Sequence, residues 1–477
     1  MQLFYTPDHA RVGDVIPYYE DGEFKLFYLK NWNPYFGSDK TLGWHLLTTK
    51  DLIHYESETA IGILGGTGCV IKVDGLYHLY YCVFEDQPQR QYVCHATSTD
   101  LTNWTKYPEE TFGPDESIYL LTDWRDPHVI WNEEEKCWWM ILCAQSQGNT
   151  KRRGCVGLCK SADLHHWTCC EPLYAPQSSM SAYECPDLFY MNGWWYLVFS
   201  QFTDRFQTIY RMSRSCNGPW IRPKTDSFDG RAFYAAKTCS DGEHRYIFGW
   251  NPTRTQNTWN FDPDPTHEGY DYKTYDWGGS LVPHELYARE DGTLAVRSNP
   301  ALKKVLTVVN ELKWTALNGD WKIDQTSTSV KSPVCYASML SENDVPHQGC
   351  LSLDFTFASG TERFAVVLQT DQEFARGYYF YLDPKRQRIE YKSAIRMHEQ
   401  GGWTFQYDVE LERPVELIPD KTYSMEIFVD ESVMEVYVNN EVAMSVRAYD
   451  LHDRKFGLAV SDGTVRFENI QLTTLGE

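Results

Sequence analysis

Three acidic side chains recur at one place in a repeated unit of this sequence. Each unit is an apolar strand, a polar turn and a second strand rich in aromatic residues, a pattern typical of β-hairpins. The turns fall near residues 21, 74, 134, 192 and 241. Asp14, Asp126 and Glu184 lie seven or eight residues before three of these turns, and Thr67 and Tyr234 hold that place before the other two. Because equivalent positions in a radial repeat meet in space, the sequence predicts that three carboxylates converge on one site.

Carboxylates that share a site suggest glycoside hydrolysis. One carboxylate attacks or supports the anomeric carbon, and a second protonates the leaving oxygen. Neighbouring negative charges raise the pKa of one member, which keeps it protonated at the working pH. A third acid can stabilise the positive charge that develops in the transition state. Alone, Asp14 could be a turn residue and Asp126 could pair with Arg125, but the shared register of the acids favours a joint function.

The repeats also predict the architecture. Turns about every 50 to 60 residues are close to the spacing of propeller blades, and the apolar period of two favours strands over a helical solenoid. A shorter pattern of Ser or Thr, an acid, Leu and an aromatic residue begins at Thr49, Thr99 and Ser161. We interpret it as the link between the two hairpins of a four-stranded blade. The prediction is a five-bladed β-propeller over residues 1–300.

The sequence after about Val330 loses the hairpin-and-acid pattern. Strand-like runs cover Cys350–Phe357, Phe364–Gln369, Gly377–Leu382, Tyr423–Asp430 and Val433–Val438. We therefore predict an all-β chain in which residues 318–477 form a C-terminal β-sandwich. This second domain has no candidate catalytic cluster, and we interpret it as a structural partner or a surface for self-association.

Composition limits the partners of the protein. The formal net charge of −22 argues against nucleic acids and anionic membranes and fits a soluble protein that acts on a neutral small molecule. No run reaches the roughly 18 apolar residues of a membrane span, and the sequence does not begin with a secretory signal. The 14 cysteines show no regular disulfide framework, which favours buried thiols in a cytoplasmic protein.

We predict no metal ion and no organic cofactor. Cys155 and Cys159 are four residues apart with no histidine between them, and no Cys-x-x-Cys pair occurs. His128, His165 and His166 are interpreted as structural or substrate-facing residues rather than metal ligands. Since the sequence also lacks a Gly-rich phosphate loop and a Gly-x-Ser-x-Gly elbow, the carboxylates are its one constellation with an evident chemistry.

The segments around the acids resemble those of a known family. Trp124-Arg125-Asp126-Pro127 and Glu184-Cys185-Pro186-Asp187 are similar to the Arg-Asp-Pro and Glu-Cys-Pro motifs of glycoside hydrolase family 32, which includes invertases, inulinases, levanases and fructosyltransferases. Further resemblance lies in Trp44-His45, Gly66-Thr67-Gly68-Cys69, Trp277-Gly278-Gly279 and Phe428-Val429-Asp430, so it covers nearly the whole chain. The first motif departs, because the family usually has Trp-Met-Asn-Asp-Pro-Asn-Gly where this chain has Arg11-Val12-Gly13-Asp14-Val15-Ile16-Pro17.

The resemblance implies a five-bladed propeller joined to a β-sandwich, and a retaining β-fructofuranosidase acting on sucrose or short fructooligosaccharides. Asp14 would be the nucleophile, Asp126 the transition-state stabiliser and Glu184 the general acid/base. The predicted substrate-binding residues are Arg125, Trp44, Thr67, Tyr183, Tyr234, Lys237 and Trp277. The alternatives are a fructosyltransferase or difructose-anhydride enzyme of the same family, an arabinan- or xylan-active propeller glycosidase, and a catalytically inactive sugar-binding module.

Overall fold

The computed structural model describes residues 1–32, 43–86, 89–203, 205–255, 271, 274–324, 327–394, 409–452 and 455–476. The chain divides into two compact units. The first unit comprises Tyr5–Trp250 and Trp277–Ala295, and the second comprises Met1–Phe4, Asn251–Asp276 and Val296–Glu477. Within the described residues, strands dominate both units, as the alternating apolar pattern predicts.

Nineteen strands and a short 3₁₀ helix, Pro108–Glu110, are described up to residue 298. The strands are β1 (Ala10–Glu20), β2 (Glu23–Trp32), β3 (Trp44–Thr49), β4 (Tyr55–Ala60), β5 (Gly66–Val73), β6 (Leu76–Asp86), β7 (Gln89–Ser98), β8 (Thr105–Lys106), β9 (Tyr119–Asn132), β10 (Cys137–Ser146), β11 (Gly154–Ser161), β12 (Thr168–Tyr174), β13 (Tyr183–Met191), β14 (Trp194–Gln201), β15 (Gln207–Ser213), β16 (Tyr234–Ser240), β17 (Arg245–Thr255), β18 (Thr274–Ala288) and β19 (Leu294–Ser298).

These strands pair in five consecutive groups. The groups are β1–β4, β5–β8, β9–β12, β13–β15 and β16–β19, and within each group every strand pairs with the next along the chain. Backbone pairing between Val12 and Gly279 joins the first group to the fifth. Phe24 and Leu26 of β2 pack toward the fifth group, while Phe27 packs toward the second. This alternation follows from the two-residue period of a strand that is buried on both faces.

Apolar clusters lie between successive groups. Trp44 belongs to the cluster shared by the first and second groups, Trp124 to that of the second and third, and Trp139 to that of the third and fourth. Trp250 packs between the fourth and fifth groups, and Phe248 between the fifth and the first. All five side chains are completely buried. The high aromatic content of the sequence therefore serves largely to fill the space between the groups.

The first strand of each group is interrupted by a β-bulge. The residues left out of the pairing are Gly13–Asp14 in β1, Thr67 in β5, Asp126–Pro127 in β9, Cys185–Pro186 in β13 and Ala235–Ala236 in β16. A bulge bends the strand and redirects its side chains. The candidate residues of the repeat thus lie at or beside a repeated backbone feature that the hairpin pattern did not predict.

The pattern of Ser or Thr, an acid, Leu and an aromatic residue does not link two hairpins as predicted. It forms the turn between the third and fourth strands of a group, and in the second group the hydroxyl belongs to Ser98 rather than to Thr99. The Ser98 oxygen accepts hydrogen bonds from the backbone N–H groups of Asp100 at 3.1 Å and Leu101 at 2.9 Å. Leu101 has a φ of 66°, and a nearby hydrogen bond of this kind helps a leucine to keep that left-handed conformation.

The second unit contains the remaining strands and one short helix, α1 (Pro300–Val305). The strands are β20 (Val308–Asn310), β21 (Trp314–Asn318), β22 (Trp321–Ile323), β23 (Ser327–Asp344), β24 (Gln348–Phe357), β25 (Arg363–Thr370), β26 (Gly377–Asp383), β27 (Arg388–Ala394), β28 (Leu411–Pro414), β29 (Tyr423–Asp430), β30 (Val433–Val438), β31 (Val442–Arg447) and β32 (Lys455–Thr474). The predicted runs coincide with β24, β25, β26, β29 and β30. No helix in the described part of the chain is long and apolar enough to cross a membrane.

A long strand connects the second unit internally. β32 has 20 residues and pairs with β20, β23, β24 and β25. The thirteen described strands of this unit are consequently joined into one continuous hydrogen-bonded network. Sequence periodicity predicts such strands individually but not which of them pair over long distances.

We predict that Ser98→Ala lowers the free energy of unfolding by about 1–2 kcal/mol, because the buried N–H of Leu101 loses its acceptor. Urea unfolding monitored by tryptophan fluorescence measures the change. Thr99→Ala is the matched control, since Thr99 is exposed, and it should alter stability by less than about 0.5 kcal/mol. A larger loss in Thr99→Ala than in Ser98→Ala would contradict the assignment of the turn.

Candidate active site

Asp14 lies in the bulge of β1 and is surrounded by donors from other strand groups. Its Oδ2 accepts a short hydrogen bond from the hydroxyl of Thr67 on β5. Its Oδ1 accepts one from the indole Nε1–H of Trp250 on β17, at 3.3 Å. The thiol of Cys185 on β13 lies 3.8 Å from Oδ2. These contacts from three other groups fix the orientation of the carboxylate.

Asp126 lies in the bulge of β9 and is held by the bulge of the next group. Its φ of 56° is left-handed, a conformation in which aspartate is tolerated better than most residues. The side chain is 6% exposed, and its Oδ2 accepts a hydrogen bond of 2.9 Å from the backbone N–H of Cys185. Arg125 Nε is 3.8 Å from the same oxygen. Asp126 is therefore a buried carboxylate compensated by one backbone amide and one guanidinium.

Glu184 ends the row of acids, immediately before the bulge of β13. Its Oε1 accepts a hydrogen bond of 2.8 Å from Nη2 of Arg125, and its Oε2 accepts one of 2.6 Å from the hydroxyl of Tyr234. The Tyr234 ring is stacked on Phe206, with centroids 4.1 Å apart and planes 5° from parallel. The two oxygens of Glu184 thus have different environments, one beside a cation and the other beside a phenol.

The structure brings the three acids together, although not through strictly equivalent positions. Asp14 is the second residue of its bulge, Asp126 is the first, and Glu184 precedes its bulge by one residue. Cys185 contacts Asp14 and Asp126, and Arg125 contacts Asp126 and Glu184. The predicted convergence is present, with a one-residue offset between groups that counting back from the turns did not resolve.

The environment raises the pKa values of two of the acids. Burial is the main cause for Asp14, whose pKa is raised to about 6; the charge of Asp126 raises it further, and the hydrogen bonds from Thr67 and Trp250 oppose the rise. Burial also raises the pKa of Glu184, against the charge of Arg125. Desolvation disfavours the charged form of a carboxyl group. The site can therefore hold protons on carboxyl groups at a pH where exposed acids have lost them.

The predicted substrate-binding residues fall into two sets. Arg125, Thr67 and Tyr234 contact the acids directly, as described above. The ring of Trp277 lies against Gly13, where a Cβ atom would come within 2.0 Å of it, so only glycine fits at this point of the bulge. Trp277 also packs beside Trp250, with ring centroids 6.4 Å apart. These four side chains form part of the same constellation as the carboxylates.

The structure does not bring Trp44, Tyr183 and Lys237 to the carboxylates. Trp44 is completely buried and donates its indole N–H to the carbonyl of Gly66 at 3.1 Å. The Tyr183 hydroxyl is paired with Ser178 at 2.7 Å. Lys237 is 2% exposed, and its ammonium donates to the carbonyl of Pro186 at 3.0 Å. Their contacts are with the core or the backbone, and Lys237 acts on the site by holding the bulge of β13.

Sequence reasoning missed other members of the site. Trp250 pairs directly with Tyr234 across the hairpin of β16 and β17, so the turn at Asp241 could have indicated it. Asp123 bonds to Arg125, and Gln91 accepts from Nη1 of Arg125 at 3.3 Å. Asp123 precedes Arg125 by two residues on one strand, a spacing that places both side chains on the same face. Gln91 has no comparable local signal, because it comes from a different group.

Buried carboxylates held close together on an all-β framework are chemically suited to the cleavage of glycosides. Comparisons with known proteins agree with this chemistry. Residues 15–272 match the model described as glycosyl hydrolases family 32 N-terminal domain, and residues 318–474 match the corresponding C-terminal model. The chain therefore belongs to glycoside hydrolase family 32, and it is a glycoside hydrolase.

The proteins similar to this one align with nearly its whole length. A levanbiose-producing levanase of Bacillus subtilis (strain 168) is 25% identical, with 98% of this chain and 89% of the levanase aligned. A sucrose-6-phosphate hydrolase of Escherichia coli is 22% identical over 94% of this chain and 87% of its own. The structure of an exo-inulinase from Aspergillus awamori matches with a TM-score of 0.70 at 17% identity, covering 100% of this chain and 98% of that one. The shared fold is a β-propeller with a β-sandwich.

We predict that Asp14→Asn stabilises the folded protein at pH 7.5. The pKa of Asp14 is about 6 in the folded protein and about 3.9 in an unfolded chain. The ionised carboxylate therefore destabilises the folded protein above pH 6, and this destabilisation disappears as the pH falls below 4. Removing the charge should add on the order of 1–3 kcal/mol at pH 7.5 and progressively less as the pH falls toward 4. Thermal unfolding across this pH range measures the effect.

The exposed Asp86 provides a control for that experiment. Asp86→Asn removes the same charge from a solvent-exposed position. The stability difference between Asp86→Asn and the wild type should therefore be nearly independent of pH. A stabilisation by Asp14→Asn that did not change between pH 4 and 7.5 would contradict the account of Asp14 as a desolvated acid.

Proposed function

We propose that this protein is a retaining β-fructofuranosidase that hydrolyses terminal fructosyl units of sucrose or short fructooligosaccharides. The observation that carries the proposal is the joining of Asp14, Asp126 and Glu184 through Cys185 and Arg125 in a chain that belongs to family 32. The named activities of the similar proteins agree with it, because levan, inulin and sucrose 6-phosphate all contain fructofuranosyl units.

Asp14 is the nucleophile in this proposal. Its carboxylate attacks C2 of the fructosyl unit, the bond from C2 to the leaving oxygen breaks, and an ester between the sugar and Asp14 forms. The hydrogen bonds from Thr67 and Trp250 hold the ionised carboxylate in one orientation. They also limit the rise in its pKa, so that a useful fraction of Asp14 is ionised near neutral pH.

Glu184 is the general acid and base. Burial raises its pKa, so the carboxyl group can retain the proton that it gives to the leaving oxygen. Because Oε1 faces the guanidinium of Arg125, Oε2 is the oxygen that carries this proton. In the second half-reaction the Glu184 carboxylate takes a proton from water, whose oxygen attacks C2 and releases Asp14. The original protonation states are then restored.

Asp126 and Arg125 act on the charge that develops between these steps. As the bond to the leaving group breaks, positive charge develops on the fructosyl ring, and a buried carboxylate nearby stabilises it. The positive charge of Arg125 offsets the repulsion between Asp126 and Glu184. Its guanidinium is also close enough to the acids to bind a sugar hydroxyl. No step in this scheme uses a metal ion or an organic cofactor.

The finer architecture is part of the same proposal. Five strand groups, with apolar clusters between each group and the next and between the fifth and the first, support a five-bladed propeller. We assign residues 1–300 to the catalytic domain and 318–477 to the sandwich domain. Within the described residues all 14 cysteines are unpaired, which supports a cytoplasmic location. Self-association stays a prediction.

We expect fructose release from at least one of sucrose, kestose, inulin, levan, sucrose 6-phosphate and difructose anhydrides. Glu184→Gln should lower turnover by about 10²–10⁴-fold, and Asp14→Asn should abolish it. Glu171→Gln, at an exposed position, is the matched control and should retain wild-type rates. Methanolysis followed by NMR should give the methyl β-fructofuranoside, which is the retained product. Turnover that survives Asp14→Asn would remove Asp14 from the role of nucleophile.

The pH dependence of kcat/KM tests the ionised state of Asp14. We expect the acid limb near pH 6, because activity requires the carboxylate whose pKa is raised to about 6. Thr67→Val removes a hydrogen bond that lowers this pKa, so the limb should move to higher pH by about 0.4–1 unit. Thr59→Val on the exposed strand β4 should leave the limb in place. An unmoved limb in Thr67→Val would assign it to a different group.

A further inference from the structure

Three histidines and a glutamate from the second and third groups meet at one place. His78 is on β6, His95 on β7, Glu110 at the end of the 3₁₀ helix and His165 in the turn between β11 and β12. We call these four residues the histidine cluster. They are absent from the catalytic scheme above, and the sequence interpretation of His165 as a structural or substrate-facing residue did not bring the four together.

The donor atoms of the cluster face one another. Glu110 Oε2 is 2.5 Å from Nδ1 of His95, and Glu110 Oε1 is 2.8 Å from Nδ1 of His165. The carboxylate and the two ring nitrogens all lie within 4.8 Å of one another. Ligands about 2.0–2.2 Å from a zinc ion are roughly 3.3 Å apart in a tetrahedral site. Small rotations of the three side chains would therefore open the hydrogen bonds enough to admit an ion between them.

His78 provides the support that a metal-binding histidine requires. Its Nδ1 is 3.0 Å from Nε2 of His95, and the planes of the two rings are nearly parallel, 8° apart. When Nδ1 of His95 binds a cation, its Nε2 carries the proton and donates it to Nδ1 of His78. A hydrogen-bonded acceptor on the second ring nitrogen is what fixes the tautomer and orientation of histidine ligands. This contact can hold His95 in the tautomer that leaves Nδ1 able to bind a cation.

The surroundings of the histidine cluster hold His95 firmly and leave His165 partly open to solvent. Tyr80 stacks on the ring of His95 at 4.6 Å between centroids, and Tyr107 lies 5.4 Å from it. The His95 side chain is 3% exposed, which preorganises one ligand in an apolar setting, whereas that of His165 is 39% exposed. An ion can enter beside His165, and a water molecule can occupy the remaining coordination position.

We propose that His95, Glu110 and His165 bind one divalent transition-metal ion, with Zn²⁺ the best match, and that His78 positions His95 for it. Two imidazole nitrogens and one carboxylate suit Zn²⁺ and Co²⁺, whereas Mg²⁺ and Ca²⁺ prefer oxygen ligands. The ion connects the second strand group to the third, because His95 and His165 belong to different groups. Its role is to stabilise the folded unit, since binding to the folded state alone raises stability.

The test uses the full chain without a polyhistidine tag, stripped of metal with EDTA and dialysed. We expect Co²⁺ to give a visible d–d absorption band that saturates at one equivalent and disappears when Zn²⁺ is added. Glu110→Gln and His165→Ala should lose the saturable band. His78→Phe should weaken Co²⁺ binding by about 10–100-fold, the range found for supporting partners of metal ligands. Circular dichroism verifies that each variant is folded.

His166→Ala and His54→Ala are the matched controls, because both histidines are exposed and bond to an aspartate of the same kind of turn. They should bind Co²⁺ as the wild type does. Thermal unfolding with excess Zn²⁺ should show a rise in Tm for the wild type and none for Glu110→Gln. A wild type without a saturable band, or with binding unchanged in Glu110→Gln and His165→Ala, would show that the cluster is a hydrogen-bonded network only.

Discussion

The site depends on the interaction of the positively charged Arg125 with the carboxylates around it. Three carboxylates held near one another in a partly buried place repel, and burial makes each negative charge more costly. Arg125 bonds to Glu184 and approaches Asp126, so a single guanidinium offsets two of the three. Its remaining hydrogen bonds go to Asp123 and Gln91, which hold the guanidinium plane in position. Burial raises the pKa of Glu184 and the charge of Arg125 opposes that rise, so these two opposing effects together set how readily Glu184 holds a proton.

The repeated bulges supply the geometry within which that charge acts. A regular strand directs consecutive side chains to opposite faces, which would point only alternate residues toward the site. The bulges leave Asp14 and Asp126 outside the pairing and expose the backbone N–H of Cys185 to the Asp126 carboxylate. Rigid aromatic packing between the groups then holds each bulge in place, as the buried Trp124 and Trp250 illustrate. Electrostatics and backbone shape are therefore inseparable in this site.

Periodicity in the sequence was sufficient for the repeated hairpins and for finding three acids that the structure brings together. β29 and β30 have the predicted bounds, because alternation and a turn after Val438 mark them locally. What depends on pairing between distant segments was not predictable in the same way. The one-residue offset of the acids arises from bulges, and Trp44 was assigned to substrate although its neighbours in space bury it completely. The meeting of His95 and His165 likewise depends on the packing of two groups, which no local pattern records.

Two copies of the repeat carry a neutral residue at or beside the bulge, and their hydroxyl groups affect the acids of the neighbouring copies. Thr67 donates to Asp14 on the preceding group, and Tyr234 donates to Glu184 on the preceding group. Asp14 and Glu184 thus each accept a hydrogen bond from a neutral hydroxyl one step further along the repeat. The carboxylates and the hydroxyls that bond to them lie in separate copies of one structural unit. In the mechanism that we propose, a substitution at a hydroxyl-bearing copy accordingly shifts the working pH and leaves the reacting carboxylates in place.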